Sequence, residues 1–344
     1  MVKPPDNHHR VSQERARVTP RPFSLWNQLH TPLCTDSFPV HLSDSGNTPA
    51  LPAHHSPAFG SILSVKSAPK SVPCDIASDI RFVPLGNARR IWAISAIHAD
   101  ADKLIALHDQ LYEEIQPGDR IVYLGNYVGY GSAPRETLDE LLTFRRIVLS
   151  LPGMVPDDFI YLRGGQDEMW EKLQQLQFAT NPKEVLNWML DNGTSSTLEA
   201  YGIKPRSGLM AAIEGVMSLT RWTASVRSAI RQNPGHDIFQ CQLRRAAFTP
   251  LRGNNPILFV HAGINPGKSL QNQGDALWWG GKNFNIMNQA YAPFKKVIRG
   301  FDPNHGGLHI NCVTATIDAG CGFGGNLVCA GFDSDGEVIG LIEA

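Results

Sequence analysis

The second quarter of the chain repeats a short apolar strand, a polar loop and an amphipathic helix, and this pattern restricts the possible folds most. A buried strand is predicted at 91–97, followed by leucines at helical spacing. A second strand is predicted at 120–124, a helix at 135–149 and a third strand at 159–162. Such units form a mostly parallel sheet with helices on its faces, and their functional loops gather at the carboxyl ends of the strands.

The remainder of the chain divides into a helical part and a strand-rich part. Residues 168–248 are predicted to be helical and to form a cap region beside the sheet. Strand patterns return at 257–260 and dominate 312–342, where a hairpin turn is predicted at 333–336. The class indicated is α/β, with the last strands forming an antiparallel second layer.

The N-terminal part has a different composition. Residues 1–80 are rich in Pro, Ser and His and have no sustained period, so they are predicted to be a low-complexity, disordered extension. The folded domain is expected at 85–344. An organelle-targeting segment is an alternative because arginines cluster early, although Asp6 and Glu14 interrupt the cluster.

Charge and cysteine content exclude several classes of protein. The 31 Lys and Arg residues balance 32 Asp and Glu residues, so neither a nucleic-acid partner nor a membrane is indicated. The 6 cysteines have no paired spacing, which argues against a zinc finger or a disulfide scaffold and favours a reducing compartment. No 18-residue apolar run or secretory h-region is found, so a cytoplasmic protein is predicted.

Five short segments follow predicted strands in an order that resembles the calcineurin-like metallophosphoesterases. The segments are SAIHA at 95–99, GNYVGYG at 125–131, GGQDE at 164–168, HAG at 261–263 and GFDP at 300–303. The family motifs in these places are GDxHG, GDxxDRG, GNHE, HAG and GHTP. Segments 188–202, 277–279 and 318–327 are similar to further motifs of the bacterial Ser/Thr protein phosphatase group. The resemblance implies a four-layer α/β/β/α sandwich with mixed sheets.

The resemblance also implies where metal ligands would stand. An intact member holds two metal ions, bridged by a carboxylate and a water, with Mn, Fe or Zn suited to such ligands. The corresponding positions, in chain order, are Ala96, His98, Asn126, Gly165, His261 and Phe301. Two imidazoles therefore remain, and the amide of Asn126 cannot bridge two cations as a carboxylate does.

The positions that would move protons and hold phosphate are replaced as well. The family's general-acid histidine corresponds to Gln166, and the aspartate that orients it corresponds to Gly129. The arginine of the second motif is Tyr130, and that of the 277–279 box is a glycine. Loss of the proton donor alone removes a factor of about 10² to 10⁴ in rate.

Some polar and aromatic residues at these strand ends have two interpretations. Arg163 is retained and either faces a ligand or forms an ion pair with Asp167 or Glu168. Tyr130 and Trp278 are candidates to line the former cleft. For Trp278, packing in the core is the alternative.

Together these replacements predict a catalytically inactive pseudoenzyme, a pseudophosphatase that needs no cofactor. It would bind an unknown protein or small molecule in the former phosphatase cleft. The alternative is a divergent phosphoesterase with at most one divalent metal ion held by His98, Asn126 and His261. In that case Asp302 or a histidine of 305–309 would complete the site, whereas solvated loop histidines are the simpler interpretation.

Two further alternatives concern other parts of the chain. Residues 1–80 could carry a structural or assembly role, with the folded domain as an anchor. The helical stretch 208–231 has a stripe of Met and Leu side chains, which is expected to pack on the sheet rather than to form a groove for a partner.

Overall fold

The computed structural model describes residues 76, 79–253, 255–280 and 284–344. The strands are β1 (Phe82–Pro84), β2 (Ile91–Ile94), β3 (Arg120–Tyr123), β4 (Phe159–Tyr161), β5 (Ala246–Phe248), β6 (Ile257–Val260), β7 (Lys296–Arg299), β8 (His309–Ile310), β9 (Thr314–Thr316), β10 (Val328–Phe332) and β11 (Val338–Glu343). The helices are α1 (Ala101–Glu114), α2 (Pro134–Leu149), α3 (Gly165–Leu173), α4 (Pro182–Met189), α5 (Ser195–Ala200), α6 (Pro205–Glu214), α7 (Val216–Arg231), α8 (His236–Gln242) and α9 (Ala276–Trp279).

The strands form two mixed sheets, which confirms the predicted α/β class. The first sheet has the order β11-β10-β2-β3-β4, in which β2, β3 and β4 are parallel and β10 is antiparallel to β2. The second has the order β1-β5-β6-β7-β9-β8 and combines both directions. Apolar side chains from both sheets, such as Val122, Phe259 and Ile298, are buried together in one cluster between them.

The outer faces of the two sheets are covered differently. Apolar side chains of α1 and α2, including Leu107 and Leu141, pack with those of β2 and β3. The other outer face is covered by Trp278, Phe284 and Phe294, from a segment whose described part contains the single-turn helix α9 and a short 3-10 turn. The outer layers are therefore long helices on one side and mostly irregular chain on the other.

The C-terminal hairpin is placed differently from the prediction of an antiparallel second layer. Strands β10 and β11 pair with each other, and β10 continues the first sheet by pairing with β2, with Cys329 opposite Ile94. The second sheet is assembled from β1 and from β5 to β9 instead. The hairpin thus covers the edge of β2 that faces away from β3.

The expectation that the Met and Leu stripe of 208–231 packs on the sheet is wrong. The exposed side chains of this stripe are Met210, Ile213, Val216 and Met217. A glycine at φ 111°, Gly215, ends α6 and precedes α7, so the stripe is divided between two helices. The face that α7 buries consists of Leu219, Trp222, Thr223, Val226 and Ile230.

The folded unit begins before the predicted limit of residue 85. Strand β1 pairs with β5, and the side chains of Phe82 and Ile76 are buried against the second sheet. The predicted extension at 1–80 lies almost entirely outside the described residues. Within the described part of the chain, no helix combines the length and apolar character needed to cross a membrane.

Candidate functional site

Loops at the carboxyl ends of five strands converge on one place, as the parallel topology requires. His98 follows β2, Asn126 follows β3, Gln166 lies just after β4, His261 follows β6 and Phe301 follows β7. Backbone hydrogen bonds join the loops, among them His98 N to the carbonyl oxygen of Asn126 at 2.6 Å. The structure therefore brings these sequence-predicted positions together.

The loop backbone at the site adopts conformations that side chains rarely permit. His98, Ala99 and Asn126 have φ values of 52°, 60° and 57°. Asparagine tolerates this left-handed region better than histidine or alanine does. A Cβ on Gly131 would lie 2.2 Å from the carbonyl oxygen of His98, so only glycine allows the second loop to pass this closely.

The two retained histidines are buried and each has one ring nitrogen without a partner. His98 Nε2 lies 3.1 Å from Asn126 Nδ2, and His261 Nδ1 donates to the carbonyl oxygen of Leu124 at 2.5 Å. His98 Nδ1 and His261 Nε2 contact no hydrogen-bonding group among the described residues. Burial lowers the pKa of His98 to about 3 and that of His261 to about 4, so both rings are neutral at pH 7.

Gln166, which the motif resemblance aligns with the general-acid histidine, forms hydrogen bonds with two surrounding loops. Its backbone N–H donates to Asn126 Oδ1 at 2.9 Å, and its side-chain amide donates to the carbonyl oxygen of Asn192 at 2.9 Å. A Cβ on Gly129 would lie 2.6 Å from Gln166 Oε1. The glutamine side chain therefore fills the space beside Gly129 that any larger residue at position 129 would need.

The side chain of Asp167 forms hydrogen bonds with backbone N–H groups and does not face a ligand. Its buried carboxylate accepts the N–H groups of Asn126, Tyr127 and Gly164 at 2.8, 3.1 and 2.8 Å. Burial raises the pKa of Asp167 to about 6, although these three donors favour the charged form. The carboxylate ties the loop after β3 to the start of α3.

Arg163 forms the kind of ion pair that the sequence suggested, but not with Asp167. Its guanidinium lies 3.0 Å from Glu168 Oε2 and also contacts the carboxylate of Glu171. Both glutamates lie in α3, so the guanidinium of Arg163 is paired with this helix and is not directed at a ligand.

The ring of Phe301, the residue that the motif resemblance aligns with a histidine ligand, packs against both retained histidines. It stacks on the imidazole of His261 with centroids 5.2 Å apart and an angle of 7°. Its centroid is 5.4 Å from that of His98. The hydrocarbon ring therefore contacts both retained imidazoles.

A further aromatic residue, Phe323, joins the site and was not identified from the sequence. Its ring lies 5.0 Å from His98, 4.9 Å from Tyr130 and 4.3 Å from His305, between ring centroids. We call Tyr130, His98, Phe301, His305 and Phe323 the aromatic cluster. The available signal was a lone large aromatic residue in the glycine-rich run 320–325.

The remaining candidates have separate places. His305 Nδ1 lies 3.1 Å from Asp318 Oδ2, whereas His309 is exposed in β8. Asp302 is paired with Arg299 at 3.1 Å.

Of the two adjacent tryptophans, Trp278 is buried in the core beneath Arg245, and Trp279 borders the site. A Cβ on Gly165 would lie 2.9 Å from Trp279 Cζ3, so the ring limits the space for a ligand side chain at that position.

The residues present do not fit a dinuclear metal centre. No three His, Cys, Asp or Glu side chains are grouped to hold a metal ion within the described ranges. His261 Nε2 has a free lone pair because Nδ1 of the same ring donates to Leu124, whereas His98 Nε2 accepts from the Asn126 amide, so His98 Nδ1 carries the proton. Phe301 and Ala96 supply no side-chain ligand. No step of a reaction is therefore derived through a metal.

No family model and no curated protein matches the chain, but solved structures do. A protein assigned as a diadenosine tetraphosphatase is 18% identical, with 76% of this chain and 97% of that chain covered and a TM-score of 0.46. A serine/threonine phosphatase from Saccharomyces cerevisiae is 13% identical, with 73% and 76% covered and a TM-score of 0.40. A metallophosphoesterase from Sphaerobacter thermophilus is 14% identical, with 75% and 89% covered and a TM-score of 0.38. These similarities assign no activity to this chain.

Proposed function

We propose that this protein is a pseudophosphatase of the calcineurin-like type, which binds a protein or small molecule in its former catalytic cleft. The observation that carries the proposal is the stacking of Phe301 on His261 at 5.2 Å, at the position of a family metal ligand. The ordered motif series supports the relationship to the family. The replacements within it support the loss of hydrolysis.

Hydrolysis of a phosphate ester needs an activated water, a proton donor and positive charge against the phosphoryl oxygens. His98 and His261 are neutral, and the amide of Gln166 cannot deliver a proton near pH 7. Tyr130 offers one hydroxyl where an arginine fork would bind two oxygens. The residues at the site therefore supply no activated water, no proton donor and no positive charge for the phosphoryl oxygens.

The proposal is tested by metal content and turnover of the purified full chain. We expect less than one equivalent of Mn or Zn after dialysis and no hydrolysis of aryl phosphates or phosphopeptides. The control is a variant with both His98→Ala and His261→Ala, which should give the same background rate. Hydrolysis by the native chain that disappears in this variant would falsify the proposal.

The second candidate function, a phosphoesterase with one metal ion, is favoured by the free lone pair of His261 Nε2. It requires stoichiometric metal that is lost in the His98→Ala and His261→Ala variant. Elemental analysis of the two proteins therefore separates the candidates before any activity is measured.

A further inference from the structure

We propose that the aromatic cluster binds a small quaternary ammonium ligand on the exposed faces of Phe323 and Tyr130. This inference rests on the proposed function, because an active hydrolase would hold metal ions and phosphate in the same place. It replaces the unspecified ligand of the cleft with one chemical class.

The geometry supplies several π faces around one small area. Phe323 is 44% exposed, while Tyr130 and His305 are partly exposed on either side of it. The centroid of Phe323 lies 4.9 Å from Tyr130 and 4.3 Å from His305. An alkylated ammonium group can therefore approach more than one ring within the roughly 6 Å over which cation–π attraction acts.

The charge next to the cluster also favours a cation. Asp318 is buried behind His305, whose Nδ1 lies 3.1 Å from the carboxylate. The backbone N–H groups of Asp302 and Gly320 donate to Asp318 at 2.9 and 2.8 Å. Of the two cationic side chains on β7, Lys296 donates to the carbonyl oxygen of Gly336 at 2.7 Å. Arg299 pairs with Asp302 at 3.1 Å and also interacts electrostatically with Asp318. The carboxylate of Asp318, shared with Arg299, adds its attraction to that of the rings.

The same features disfavour an anion. The face of an aromatic ring carries the negative part of its quadrupole, so phosphate gains nothing from the rings that a cation gains. Phosphate recognition uses forked guanidinium donors, and the family's arginine position is Tyr130 here. A neutral apolar ligand would use the ring area but not the charge.

The experiment compares choline with its neutral isostere, 3,3-dimethylbutan-1-ol, on the full chain. Broadening of the probe's methyl proton signal is measured against protein concentration by NMR. We expect choline to bind about fivefold to tenfold more tightly than the isostere, as the magnitude of cation–π attraction implies. Equal affinities, or binding of inorganic phosphate in preference to choline, would overturn the inference.

Variants locate the site. Tyr130→Leu and Phe323→Leu should lower choline affinity to that of the isostere, whereas Tyr130→Phe should retain it because the ring remains. Phe178→Leu, at an exposed phenylalanine outside the aromatic cluster, is the matched control and should change nothing. Full choline binding by both leucine variants would contradict the assignment.

The two proposals fail separately. Absence of choline binding in a chain that also lacks hydrolysis removes the ligand class and leaves the pseudophosphatase proposal in place. Turnover that depends on His98 and His261 removes the pseudophosphatase proposal itself.

Discussion

At the scale of single residues, Gly164 allows two loops of the site to meet. A Cβ at this position would lie 2.3 Å from Asn126 Oδ1 and 2.8 Å from His261 Cε1. The hydrogen bond that Asn126 Oδ1 accepts from Gln166 N depends on that close approach. The glycine is therefore required by packing in this structure, whatever the state of the catalytic positions.

Gly164→Ala should lower the free energy of unfolding by about 1–3 kcal/mol, because the added methyl group would also lie 2.4 Å from the backbone nitrogen of Asn126, which cannot move aside as a flexible side-chain end can. Urea denaturation measures the change. The control is Gly267→Ala, where the new Cβ would meet only Asn265 Oδ1 at 3.4 Å, so stability should stay within about 0.5 kcal/mol of the native chain. An equal loss in both variants would show that crowding at Gly164 is not the cause.

At the scale of elements, two buried histidines on neighbouring helices form hydrogen bonds with carboxylates of helix α2. His108 on α1 joins Glu140 Oε1 at 2.5 Å and the hydroxyl of Tyr123 at 2.9 Å. His236 on α8 joins Asp139 Oδ1 at 3.1 Å and the hydroxyl of Tyr201 at 2.6 Å. Because α2 begins just after the loop that carries Tyr130, these contacts also support the cleft.

The stability of this arrangement should depend on pH through His108. Burial lowers the pKa of His108 below its ordinary value of 6.5, although Glu140 and Asp109 oppose the shift. The neutral ring is thus favoured in the folded state, so its stabilisation is complete above about pH 6.5 and is lost as pH falls. His108→Gln should reduce stability by about 1–2 kcal/mol at pH 7 and give a smaller further loss on going to pH 5.

Chemical denaturation at both pH values measures this effect. His309→Gln, at an exposed histidine of β8, should keep the pH dependence of the native chain. A native-like pH dependence in His108→Gln would show that another group is responsible.

The strand and helix assignments show what local sequence can predict. The sequence predicts β2, β3, β4 and β6 to within a few residues, because a buried parallel strand is a short, continuous apolar run. The stripe of 208–231 predicts the wrong buried face because a single glycine, Gly215, changes the direction of the chain within it. The sequence predicts the hairpin of β10 and β11 but not its partner strand, because the free edge of a sheet leaves no local pattern.

At the scale of the whole molecule, the second sheet depends on the residues just before 85. β1 pairs with β5 from a distant part of the chain, and Phe82 and Ile76 are buried with Phe248 and Leu258. The sequence alone places 76–84 beside a low-complexity region, which hides its part in the core.

A chain that begins at residue 85 should unfold with a free energy about 3–6 kcal/mol lower than one that begins at residue 76. The estimate counts the two large apolar side chains that are no longer buried. Thermal and urea unfolding of the two purified chains measure it. Equal stabilities would mean that β1 is not part of the cooperative unit.

The sequence by itself determined which side-chain ligands the site can offer, because Ala96, Gly165 and Phe301 have no metal-binding side-chain atom in any fold. Only the tertiary structure decided which side chains surround the two histidines. Phe301 stacks on His261, and Phe323 covers His98 from a loop more than 200 residues away in sequence. Such contacts depend on how separate loops meet at the strand ends, and no local pattern of residues encodes that meeting.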